Sequence, residues 1–211
     1  MTALIFFLQQ KQLIVAMDTL SAGLQDGKLR NYFFTSKMYP VPHLSGLICG
    51  TGYGNFVAEW LLRSKDFLVE DIIHLGQFTQ RELQRLWTTY SKDGGSSTIY
   101  HFGWDKKESR YRGFVFRSTN NFAIEELHYG TGTKPGIPNV NLTTFPDSII
   151  ETMLEQRENE EQQPLEDRTF IGGEIQAAYM EGGNGISLST VYRFPDYEAT
   201  YMDMCKHVAT S

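Results

Sequence analysis

The chain has 211 residues, 41% of them hydrophobic and 21% charged, enough to bury a full core within one domain. Its 25 acidic and 19 basic residues leave a formal net charge of −6, which argues against a nucleic-acid-binding face. No apolar run approaches the ~20 residues that span a bilayer, and the apolar start at Met1–Leu8 is short and lacks a basic leader, so it does not read as a signal peptide.

In chain order, Ala3–Gln9 and Leu13–Asp18 are apolar, β-rich runs joined by Gln10-Lys11-Gln12, a hairpin pattern. Ser21–Arg30 carries the turn pair Asp26-Gly27. Asn31–Lys37 is again strand-like, Tyr39–His43 holds two prolines, and Leu44–Cys49 is a short buried-type run. From Asn55, the spacing of Phe56, Val57, Trp60, Leu61 and Leu62 predicts an amphipathic helix. A second helix is expected to start at Thr79, with Glu82 completing a capping box, and to end at Lys92-Asp93-Gly94-Gly95. Strands are expected at Ser97–Trp104, Tyr111–Ser118 and Phe122–His128, and Gly130–Asn141 reads as loop. Pro146 opens a helix that runs into the charged stretch Arg157–Gln163. Gly173–Glu181 and Ile186–Phe194 flank the turn Gly182-Gly183-Asn184-Gly185, and the tail after Pro195 has weak periodicity. With no repeat and no linker, residues 1–211 read as a single domain, its core at about 2–193 and a tail at 195–211. Helices grouped between hairpin-connected strands point to an α+β class with helices packed on two antiparallel sheets.

Several motifs carry little. Cys49 and Cys205 offer neither a disulfide framework nor metal-ligand spacing, and a reducing cytoplasm is the simplest home. The five histidines never stand at i, i+3 or i, i+4, so neither a metal site nor any other cofactor is implied. Gly50-Thr51-Gly52-Tyr53-Gly54 lacks the glycine spacing and the lysine of a phosphate loop. Asn141-Leu142-Thr143 is a glycosylation sequon that stays silent without secretion.

Thr2 is more informative. Once Met1 is removed, its α-amine, with an ordinary pKa of ~7.7–8.0, becomes available as a base for its own hydroxyl. It opens a strand-turn-strand ending in Asp18, Lys37 ends a later strand, and a buried run leads through Cys49 and Gly50 towards a helix. This pattern resembles the proteasome-type N-terminal nucleophile (Ntn) hydrolases, the family of proteasome β subunits and bacterial self-compartmentalised threonine peptidases. The resemblance spans roughly residues 2 to 193. It implies a four-layer αββα sandwich and amide or peptide hydrolysis through an acyl-enzyme, on a peptide or small amide.

Residue by residue, Thr2 matches the nucleophile, Asp18 and Lys37 match the family's aspartate–lysine pair, and Gly50 matches the oxyanion-hole glycine at a helix start. Thr131 in Tyr129-Gly130-Thr131-Gly132 stands for the serine that supports the amine. Asp167 stands one residue away from the aspartate register ahead of Gly172-Gly173, which Arg168 occupies. Leu20 and Ile171 depart from the family's usual arginine and serine. The other class of function on this scaffold is a non-catalytic assembly or binding protein that retains Met1. The aromatic helix positions Phe56, Trp60, Trp87 and Tyr90, with Tyr53 and Leu61, suggest self-association into a homo-oligomer.

Overall fold

The computed structural model describes residues 2–67, 69–91, 95–138, 140 and 142–209. Six strands come first: β1 (Leu4–Leu8), β2 (Gln12–Asp18), β3 (Leu20–Gln25), β4 (Lys28–Phe34), β5 (Met38–Val41) and β6 (Gly46–Thr51). Helices α1 (Gly54–Ser64) and α2 (Ile72–Tyr90) follow. Then come β7 (Thr98–Asp105), β8 (Arg110–Arg117), β9 (Glu125–Glu126) and β10 (Gly130–Lys134). Helix α3 (Asp147–Glu161), β11 (Glu174–Glu181), β12 (Ile186–Arg193) and α4 (Tyr197–Ala209) complete the order. The strands form three antiparallel sheets: β10-β1-β2-β11-β12, the β3-β4 hairpin, and β5-β6-β7-β8-β9.

Strand parity explains the packing. Leu4, Phe6 and Leu8 of β1, with Leu13, Val15 and Met17 of β2, meet Leu47, Cys49, Tyr100 and Phe102 of the other large sheet. The opposite parity, Ile5, Ile14 and Ala16, meets Ile149 and Met153 of α3. On the far side, Ile48, Ile99, Phe114 and Phe116 pack against Phe56 and Trp60 of α1 and Leu75, Leu83 and Leu86 of α2. Strands apolar on both faces are what covering on both faces requires.

Several expectations are corrected. Helix α2 does not start at Thr79: the carboxylate of Asp71 accepts from the N–H of His74 at 2.8 Å and caps it earlier. Thr79 is fully buried inside the helix, its hydroxyl donating to the Leu75 carbonyl at 2.7 Å. The expected helix end at Lys92–Gly94 lies outside the described residues, as do Met1 and Asn141. Leu20–Gln25 is a strand, and Asp26 and Gly27, with φ of 53° and 71°, make the two-residue hairpin turn after it. The loop expected at Gly130–Asn141 opens as β10, paired along β1. Gly132 lies opposite Phe6, whose ring occupies the space a Cβ would need. The tail forms α4, which docks through Met204 on Leu20 and Phe170.

Of the residues expected to drive association, Phe56, Trp60 and Leu61 are buried inside the chain, while Tyr53, Trp87 and Tyr90 are half-buried. The exposed large apolar side chains lie elsewhere, among them Leu29, Tyr32 and Phe33 of β4 and Tyr201 and Met202 of α4. Among the described residues, no helix is long and apolar enough to cross a membrane. No three or more His, Cys, Asp or Glu side chains among them converge on a metal position.

Candidate active site

Asp18 ends β2 with no solvent exposure. Its Oδ1 accepts from the Ala3 N–H at 3.0 Å and from Lys37 Nζ at 2.9 Å. Its Oδ2 accepts from the N–H of Leu20 at 3.2 Å and of Gly172 at 3.4 Å. Lys37 Nζ also donates to the Leu20 carbonyl at 2.6 Å. Burial pushes the Asp18 carboxyl above its ordinary 3.8, opposed by Lys37 and by the amides of Ala3 and Gly172. Burial likewise pulls Lys37 below its ordinary 10.5, opposed by Asp18. All of the atoms around Asp18 are donors, the environment of an ionised carboxylate.

Each partner arrives by a local rule. Ala3 is the residue before β1, held in place by the β1–β2 ladder through the Leu4–Met17 pair. Lys37 immediately precedes β5, whose Met38 pairs with Cys49; one step further along that register faces Lys37 towards Gly50. Gly172 sits where the chain enters β11, and Gly173 adopts φ of 78°, with Thr19 Oγ1 in the space of a Cβ. That oxygen accepts from the Glu174 N–H at 2.8 Å and fixes the crossing of the two segments.

Thr2, Lys37 and Gly50 line one cleft of about 1140 Å³. Ser21–Gly23 of β3, Tyr53, Tyr90, Glu166 and Asp167 also line it. Thr2 is 8% exposed. Gly50 does not lie at a helix N-terminus as expected: it is in β6, opposite Ile99, and α1 begins only at Gly54. A Cβ there would come within 2.7 Å of Val57 Cγ2, so glycine is what lets α1 close on the strand.

Of the two remaining expected site residues, Asp167 lines the same cleft as Thr2, whereas Thr131 is not brought to Thr2. Thr131 is exposed and pairs with Phe7, roughly 16 Å along β1 from Thr2. Physically, Tyr129–Gly132 starts an edge strand at the far end of the sheet. Asp167 is exposed, and its N–H donates to the Pro164 carbonyl at 3.0 Å. Arg168 turns instead to the carbonyls of Glu161 and Gln163.

The sequence reading missed the main-chain partners: the N–H groups of Ala3, Leu20 and Gly172 and the carbonyl of Leu20. Side-chain chemistry gives no signal for such groups. The Gly172-Gly173 pair was the one available hint. Leu20, a departure from the family pattern, still donates and accepts through its backbone, while its side chain packs on Phe170 and Met204. Ile171 is buried beside Ile149 and Met153.

No protein-family model matches the chain, and no curated protein matches it. Solved structures do. The Gly-1 mutant of Anbu from Hyphomicrobium sp. strain MC1 superposes with a TM-score of 0.67 at 12% identity, covering 100% of this chain and 94% of that one. Anbu from Yersinia bercovieri, described as an ancestral beta-subunit, gives 0.60 at 11% identity, covering 99% and 94%. The helical assembly of the Anbu complex from Pseudomonas aeruginosa gives 0.64 at 10% identity, covering 99% and 94%. The fold is proteasome-like. At this identity the likeness speaks to the fold alone.

Proposed function

We propose that this chain is an Ntn-type threonine hydrolase that cleaves amide or peptide bonds with Thr2 as nucleophile, on a single four-layer αββα domain. The observation that carries the reading is the double grip of Asp18: one oxygen holds both the N–H next to Thr2 and the ammonium of Lys37. A carboxylate serving only to neutralise a lysine has no need of the amide beside the N-terminus.

After loss of Met1, the Thr2 Oγ attacks the carbonyl carbon and its proton passes to the Thr2 amine. The developing oxyanion is received by the main chain at Gly50. The amine returns the proton to the leaving nitrogen as the C–N bond breaks, leaving an ester on Thr2. Water, deprotonated by the same amine, hydrolyses that ester and restores the hydroxyl. Lys37, as a nearby cation, disfavours the protonated amine. No cofactor enters this chemistry, and a cytoplasmic setting fits it.

The exposed apolar residues on β4 and α4 support self-association into a homo-oligomer. The second reading, a non-catalytic assembly protein, is favoured by one observation: Thr131 pairs with Phe7, several residues along β1 from Thr2.

Intact-mass spectrometry and an electrophilic carbonyl-type probe separate the two. Hydrolysis requires loss of Met1, one adduct on wild type, turnover of fluorogenic peptides, and loss of both labelling and turnover in Thr2→Ala. Retained Met1, or equal labelling of wild type and Thr2→Ala, refutes the hydrolase.

A further inference from the structure

The candidate site is divided between two sheets. Thr2 and Asp18 belong to the β1–β2 sheet, and Gly50 to the β6–β7 ladder. Gly50 and Thr51 are the free end of β6: the pairing with β5 stops at Met38–Cys49, and only β7 continues alongside, as Gly50–Ile99 and Thr51–Thr98. A strand end paired on one side frays unless something ties it down.

Lys134 provides that tie. It ends β10 opposite Leu4, so by strand parity its side chain shares the inter-sheet face with Leu4 and Thr2. Its Nζ crosses the gap and donates to Thr51 Oγ1 at 2.8 Å and to Thr98 Oγ1 at 3.0 Å. Both threonines are buried. The link runs opposite to that of Lys37, which reaches from the start of β5 back to Asp18.

The choice of partners is unusual for a clamp. No carboxylate lies within ion-pair distance of Lys134 among the described residues. The nearest charged group in the adjoining ladder, Arg117, is itself a cation and is paired with Glu125. Burial, with Arg117 beside it, pulls the Lys134 pKa below 10.5. Holding an ammonium on two neutral hydroxyls costs desolvation that a carboxylate would offset.

We propose that Lys134 is a positioning residue for the oxyanion-binding main chain at Gly50, fixing the free end of β6 through Thr51. This rests on the hydrolase reading. Its signature is a slower chemical step with unchanged binding.

The test uses the processed full chain, a carbonyl-type electrophile, and separate measurement of kinact and KI well below the melting temperature. Lys134→Met should lower kinact by about ten- to a hundredfold at constant KI, less than the roughly hundred- to thousandfold loss on removing an oxyanion donor outright. Lys134→Arg, which keeps the charge, should recover part of the loss. Thr98→Val, which removes one tie without touching Thr2 or Gly50, should lower kinact several-fold and carries the test if Lys134→Met does not fold. Wild-type kinact in these variants, with wild type labelled at Thr2, overturns this inference and leaves the hydrolase standing. Failure of processed wild type to label at all overturns both.

Discussion

Removing both charges of the Asp18–Lys37 pair should cost much less than the sum of removing each alone. Asp18 is wholly buried and Lys37 only 10% exposed, so each relies on the other in place of water. Asp18→Asn keeps the shape but strips the counter-charge and turns an NH2 towards one pair of donors, either Ala3 and Lys37 or Leu20 and Gly172. Breaking a buried pair in this way costs about 3–5 kcal/mol. At about 2–4 °C per kcal/mol for a chain of this size, the melting temperature should fall by roughly 6–20 °C. Lys37→Met should be milder, because the stranded carboxylate keeps three N–H donors. The double variant removes both buried charges and retains an acceptor for two of those amides. It should be no less stable than Asp18→Asn, a non-additivity of about 3 kcal/mol.

Urea denaturation followed by tryptophan fluorescence, with matched thermal melts, measures the cycle. A pH series adds a sign. Burial raises Asp18 above 3.8, so native protein binds that proton more tightly than the unfolded chain. Stability from this group is therefore lost as pH climbs from 3.8 through the raised value. Lys37 is lowered from 10.5, so stability is regained as pH climbs from its lowered value towards 10.5. The double variant should lack both slopes. Additive losses, or slopes that persist in the double variant, would refute the account of the pair as one desolvated unit.

Two further predictions concern the supporting structure. Gly50→Ala should destabilise by about 1–3 kcal/mol, the usual cost of overpacking, because its Cβ would press on Val57 and Ile99; an unchanged urea midpoint would show that α1 does not close tightly on β6. His101 is fully buried, accepts from Trp60 Nε1 at 3.0 Å, and is pulled down by burial to about 3 from 6.5. The unfolded chain therefore binds its proton first, and stability should fall by about 1.4 kcal/mol per pH unit between 6.5 and 3. His101→Phe should remove that component of the slope in urea titrations, and an unaltered slope would count against it.

What the sequence made legible follows from how locally each feature is encoded. The β1–β2 and β11–β12 hairpins could be read because alternation and turn residues sit within a few positions of each other. So could α1, whose apolar stripe faces one sheet. The start of α2 was misread because Thr79 and Glu82 mimic a capping box, while the cap itself, Asp71, lies before a stretch in which Gly76 interrupts the helical pattern. A Cβ at Gly76 would stand 3.0 Å from Ile124 Cδ1, a tertiary contact that no local window contains. Strand β10 was invisible for the same kind of reason: Gly132 makes room for Phe6, and glycine-rich strands look like loops. Of the candidate site, Thr2, Asp18, Lys37 and Gly50 come from the family resemblance; Thr2, Lys37 and Gly50 line one cleft, and Asp18 is bonded to Lys37. Thr131 falls in a segment expected as loop that instead starts the edge strand β10, where it pairs with Phe7.

The chemistry around Asp18 asks little of side chains. Three of the four donors to this carboxylate are main-chain amides, from positions 3, 20 and 172. Any residue other than proline supplies such a donor, so the carboxylate itself dictates no side chain there, although packing keeps Ala3 and Gly172 small. Leu20 is the worked case: its side chain went to the α4 contact, while its N–H and carbonyl still serve Asp18 and Lys37. What must be kept is the register that delivers the amides, and register is set by two-faced apolar strands that many sequences can encode. A site built in this way ties its geometry to the sheets rather than to a motif. Damage to the sheet ends, more than substitution of flanking side chains, is what would dismantle it.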